Sequence, residues 1–83
     1  MNQQLDFFSF PENPFTPNTH NHRLYEHLRT HRAVTTRELH HVLYVETARL
    51  RSDIRPYLRK HGLDYECKSI PGDTGNRLYK VVS

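Results

Sequence analysis

The sequence predicts an α+β fold in which three helices are followed by a two-stranded β-hairpin, with an extended arm ahead of them. Apolar residues recur at helical spacing in three successive stretches between residues 18 and 61, and two β-rich runs separated by turn formers close the chain. Residues 1–17 show neither period. With 83 residues, the chain has room for one domain with a small core and not for two. The expected division is a flexible arm over residues 1–17 and a folded domain over residues 18–83.

The arm is rich in Phe but carries Pro11, Pro14 and Pro17, which interrupt any regular backbone pattern. Small polar residues at 18–21 suit a helix N-cap, and Leu24, Leu28 and His31 then share one face, with Tyr25 beside them. A break follows at Arg32-Ala33-Val34. Thr35 or Thr36 caps a short second helix with Leu39, Val42 and Leu43 as its apolar residues, and Glu38 stands three residues after Thr35, as a capping box requires.

The third helix is expected over residues 46–61 and ends at Gly62, the residue suited to the left-handed turn that closes a helix. Steps of 100° put Leu50, Ile54, Tyr57, Leu58 and His61 on one side and Ala48, Arg51, Ser52, Arg55 and Arg59 on the other. Pro56 lies inside this helix without an N–H to donate, and its ring crowds the carbonyl of Ser52, so a kink or an early break is expected near Ser52. Residues 64–70 and 76–82 then form two strands joined by Pro71-Gly72-Asp73-Thr74-Gly75. Tyr65, Cys67 and Ser69 fall on one face of the first strand, and Cys67 is expected on its buried side. Alternation leaves open whether Tyr79 and Val81 or Leu78 and Val82 face inward from the second. As the sole cysteine, Cys67 cannot form an internal disulfide and has no neighbour with which to build a thiolate metal site.

Net charge is +3, but it is unevenly spread. Residues 19–63 hold nine Lys and Arg against four acids, whereas residues 1–18 carry only Asp6 and Glu12. A positive middle segment attracts a polyanion and releases its counterions on contact; the plain alternative is a well-solvated surface. Arg51, Arg55 and Arg59 recur at i, i+4 and i+8, so three guanidinium groups form a ridge whose mutual repulsion has no local compensation in the sequence.

The chain has no glycine-rich phosphate loop, no nucleophile elbow and no paired carboxylates on a common face, so a non-enzymatic protein without a cofactor is expected. His27 and His31 stand at i, i+4 with His40-His41 close by, but no Cys or acid completes a recognised metal set. These imidazoles are expected at the core edge or against phosphates. Neither a membrane-length apolar run nor a cationic leader is present, which predicts a cytoplasmic protein of a bacterium or an infected host cell, with no membrane partner.

The order helix, helix, turn, basic helix and hairpin, carried by AVTTREL, ARLRSDIRPYLRKHGL and GNRLYKV, resembles the small winged helix-turn-helix domains common in phages and prophages. The resemblance covers about three quarters of the chain. It implies double-stranded DNA as partner, with the third helix in the major groove and the wing on the backbone or minor groove, as in a regulator or replication accessory; such domains often act as homodimers. By position, Thr47, Ala48, Arg51, Ser52 and Arg55 would face the groove, while Thr36, Arg37, Arg59, Lys68 and Arg77 would meet phosphates. In the arm, Gln4-Leu5-Asp6-Phe7-Phe8 resembles the short peptide by which bacterial proteins bind the replication sliding clamp, with Phe7 where that pattern has Leu. This resemblance implies the other reading, a protein-binding module that recruits or inhibits a host protein such as the clamp, with aromatic anchors entering an apolar pocket.

Overall fold

The computed structural model describes residues 10–83. Helix α1, His20–His31, starts where Thr19 accepts a hydrogen bond from the His22 N–H, and ends where Arg32 turns to φ 64° and donates its N–H to the Leu28 carbonyl. Leu24, Tyr25 and Leu28 are buried, so three residues at helical spacing fix which face meets the core. His31 is exposed rather than part of that face, because the helix reaches solvent at its last turn.

Residues read as a break form a strand, β1, Ala33–Thr35. It pairs antiparallel with the last strand of the chain, Val34 opposite Tyr79. Thr35 then caps α2, which comprises an α-helical turn, Thr36–Glu38, continued by a π-helical turn, Leu39–Leu43. The capping box is complete: Glu38 N–H donates to Thr35 Oγ1 at 3.1 Å and Thr35 N–H to Glu38 Oε1 at 2.9 Å. Tyr44, at φ 56°, ends the helix. Leu39 and Leu43 are buried, but Val42, grouped with them by sequence, is 63% exposed because the widened turn carries it off the inner face.

Helix α3 is helical from residue 48 and comprises a π-helical turn, Leu50–Ile54, followed by α-helical Arg55–Lys60. Pro56 therefore does not break the helix. One residue before it, the Arg55 N–H reaches back five residues to the Leu50 carbonyl, so the turn widens and admits a residue that cannot donate. The inner face is the expected one, with Leu50, Ile54 and Leu58 buried, except that His61 is exposed and packs its ring against Tyr57 at 4.7 Å. Gly62, at φ 80°, supplies the left-handed exit and Leu63 N–H closes onto the Leu58 carbonyl at 2.8 Å.

Strands β2, Asp64–Ser69, and β3, Arg77–Val82, form the hairpin, and β1 adds to its far side to give a three-stranded antiparallel sheet in the order β1-β3-β2. Tyr79 and Val81 face inward, deciding the alternative left open by alternation. Cys67 shares their face but is exposed, against expectation: beyond Tyr65 the hairpin runs past the helices that cover the core. Asn76, buried at the loop's end, bonds Asp73 Oδ2 through Nδ2 and accepts the Arg37 N–H on Oδ1, which ties the loop to α2.

The core joins α1, α2, α3 and the sheet around Leu24, Leu28, Leu39, Leu50, Ile54 and Leu58. Residues 10–17, without helix or strand, lie against it: Phe10 and Phe15 pack on the core, Tyr25 donates its hydroxyl to the Pro11 carbonyl at 2.7 Å, and Tyr57 donates to the Glu12 carbonyl at 2.8 Å. The peptide Gln4-Leu5-Asp6-Phe7-Phe8 lies outside the described residues.

Candidate nucleic-acid interface

Because Leu50, Ile54 and Leu58 are drawn into the core, the opposite side of α3 faces outward. Ala48, Arg51, Ser52 and Arg59 are exposed there and Arg55 is half-buried. Arg51, Arg55, Pro56 and Arg59 together line one open surface groove. The ridge read from sequence is therefore present, but its electrostatics are different.

Asp64, the first residue of β2, accepts from the second and third arginines of the ridge. Arg55 Nε donates to Oδ1 at 2.7 Å and Arg59 Nε to Oδ2 at 3.0 Å. The repulsion that had no compensation within the helix is thus offset by a carboxylate from the neighbouring strand. Burial resists ionisation of Asp64, but the bonds from Arg55, from the Tyr65 N–H and from Arg59 outweigh it and hold the carboxyl below the ordinary aspartate range. In return, the Asp64 hydrogen bond raises the pKa of Arg55, whose guanidinium also lies over the Tyr65 ring, 4.6 Å from its centroid. Both arginines spend Nε on the carboxylate, and among the described residues neither Nη pair has an acceptor. Two fixed guanidinium forks remain to bind a further oxygen pair. Arg51 has no ion pair or hydrogen-bond partner among the described residues, leaving the ridge a local charge of three arginines less one aspartate.

The remaining expected contacts are not equally available. Thr36 Oγ1 accepts the Arg77 N–H at 3.1 Å and lies 3.5 Å from the Arg77 carbonyl, so it serves the joint between α2 and β3. Arg37 pairs with Asp73 at 3.0 Å and Lys68 with Glu66 at 3.9 Å, both exposed pairs open to exchange. Thr47 is half-buried with its hydroxyl 3.2 Å from His40 Nε2. Arg77 is exposed on the hairpin, with Nη1 3.8 Å from Cys67 Sγ. Lys68 and Arg77 lie outside the α3 groove. A second, smaller depression is lined by Thr36, Arg37, His40 and His41 and by the loop at 74–76.

Sequence reasoning missed Asp64. Its sole signal was an acid soon after the helix-ending glycine, five residues beyond Arg59, and no periodicity links a helix to the strand that follows it. His27 and His31 stack at 4.3 Å, and burial, then His31, lower the His27 pKa despite Glu38 Oε1 at 3.7 Å. Among the described residues no three His, Cys, Asp or Glu side chains gather in a way that could hold a metal ion, and no helix is long and apolar enough to cross a membrane.

No protein-family model, curated protein or solved structure matches the chain. What the site can do therefore rests on its own chemistry.

Proposed function

We propose that this chain is a DNA-binding protein of the winged helix-turn-helix type, without enzymatic activity, that lays the outer face of α3 in the major groove of double-stranded DNA. The observation that carries this reading is the α3 groove, where Arg51 stands unpaired among the described residues beside two guanidinium forks held by one carboxylate. Arg Nη pairs bond guanine O6 and N7 or phosphate oxygens equally well in geometry, and the small neighbours Ala48 and Ser52 let a helix approach base edges closely. Thr47, whose hydroxyl is near His40, stands at the helix start, where a groove-docked helix meets bases. Arg77 and Lys68 on the hairpin would supply the wing's backbone contacts.

Arg51→Ala tests the reading without disturbing the Asp64 bonds. In fluorescence anisotropy with a random-sequence duplex, where Arg51 meets no chosen base and acts as a cation beside the polyanion, the variant should bind less tightly and its log K against log salt should flatten by up to about 0.9. Unchanged affinity and slope would remove α3 as the contact surface.

A further inference from the structure

Strand β2 is an outer strand of the sheet, the longer of the two, and among the described residues nothing pairs with its free edge. From Glu66 to Ser69 every residue is exposed, and no proline or bulge interrupts the row of outward N–H and C=O groups. Such an edge is a template for another strand unless its side chains repel one. Here the side chains select a partner.

We infer that the β2 edge pairs antiparallel with β2 of a second copy of this chain, centred on Cys67. A two-fold axis normal to the sheet keeps every side chain on its own face, so the symmetric registers are those centred on a residue. Centred on Glu66, the pairing would set that carboxylate against its own copy; centred on Lys68, it would set ammonium against ammonium. Centred on Cys67, Glu66 lies opposite Lys68 of the second copy and Lys68 opposite its Glu66, while Tyr65 meets Ser69. Glu66 and Lys68 already lie 3.9 Å apart within one chain as an exposed pair, so exchanging partners across the axis breaks no buried contact. The result is a continuous six-stranded sheet made of two three-stranded halves. The contact is short, so the association is weak and grows with concentration. The α3 arginines meet β2 at Asp64, outside the paired segment, and at that segment's first residue, Tyr65, whose ring centroid lies 4.6 Å from the Arg55 guanidinium; the paired edge from Glu66 to Ser69 touches neither, and the pairing stands whether or not α3 binds DNA.

The test uses charge exchange in the full chain, read by sedimentation equilibrium up to millimolar concentration. E66K alone and K68E alone each oppose like charges twice, and the dimer dissociation constant should rise about ten-fold or more in each. A mixture of E66K with K68E restores two opposite pairs and should associate as the unaltered chain does, as should the E66K/K68E double variant. Both positions are exposed, and unchanged circular dichroism would confirm that the variants fold. Cys67 provides an independent register readout. Opposed residues in an antiparallel pair have Cα atoms about 4.5–5.5 Å apart, within disulfide range. Diamide, taking up the two protons and two electrons that the thiols lose, should therefore link Cys67 to Cys67 in the unaltered dimer and in the mixture, and much less in either single variant. A chain that stays monomeric at millimolar concentration, or single variants that associate and cross-link like the unaltered chain, would overturn the inference.

Discussion

Asp64→Asn separates the charge of the α3 ridge from its shape. Three arginines and one aspartate leave a local charge of +2, and the substitution raises it to +3 while Asn retains an oxygen to accept the Arg55 Nε and Tyr65 N–H bonds. Each phosphate neutralised adds about 0.9 to the slope of log K against log salt, so extrapolation from 1 M salt makes one added contact worth about eight-fold at 0.1 M. The variant should thus bind a random duplex about eight-fold more tightly at about 0.1 M salt, with a slope steeper by about 0.9. Fluorescence anisotropy on a fluorescein-labelled duplex between about 50 and 200 mM salt gives both quantities. Arg51→Ala should move them the other way. An Asp64→Asn protein with unchanged slope, in the same assay where Arg51→Ala weakens binding, would show that the Asp64-held arginines do not meet phosphate, and the charge accounting would be refuted.

Stability offers further checks. Ile54→Ala, fully buried on the inner face of α3, should cost about 2–5 kcal/mol and lower Tm by roughly 10–25 °C in thermal circular dichroism; a loss under 1 kcal/mol would mean that the widened turn does not anchor the helix. Thr35→Ala opens the capping box of α2 and should cost about 1 kcal/mol, with little further loss on adding Glu38→Ala, because both belong to one reciprocal pair. On acidification, three carboxyls matter. Glu26 is held low by Arg29 and then Asn13, Asp73 by Asn76 and then Arg37, and Asp64 by its arginines against the pull of burial. A folded pKa below the unfolded value means that the contribution is present above the ordinary carboxylate range and is lost as pH falls through the folded values. The urea midpoint should therefore fall shallowly as His27, whose pKa burial lowers, is driven to protonate below about pH 6.5, and steeply below about pH 4.5 as the carboxyls protonate; a midpoint constant from about pH 4.5 down to about pH 3 would contradict these ion pairs.

The helix ends were legible because they are local chemistry. Thr19 and Thr35 each bond an N–H group three positions away, and Gly62 takes a backbone angle that its own lack of a side chain permits. The inner face of α3 was legible for a related reason, since one period of 3.6 residues relates Leu50, Ile54 and Leu58 wherever the helix goes. Strand β1 was not. Three residues carry too little alternation to announce a strand, and what makes Ala33–Thr35 one is a pairing with residues 78–80. Cys67, Val42, His31 and His61 were misplaced because period says which way a side chain points along its element, and not where the covering element stops. For the site, the arginine ridge could be read and its restraint could not, because Asp64 comes from a neighbouring element.

The basic third helix is thus a property of the sequence alone: composition supplies the arginines and helical period puts them on one side, opposite the apolar residues that must be buried. Only the tertiary structure decided how that helix meets solvent. Packing Leu50, Ile54 and Leu58 into one core keeps α3 continuous, so Pro56 is met by a widened turn instead of a break. Packing β2 beside α3 brings one carboxylate within reach of two guanidinium groups and leaves Arg51 alone unpaired on the ridge among the described residues. The charge at each position was written in the chain, but its partner is set by through-space distance, which sequence separation does not measure.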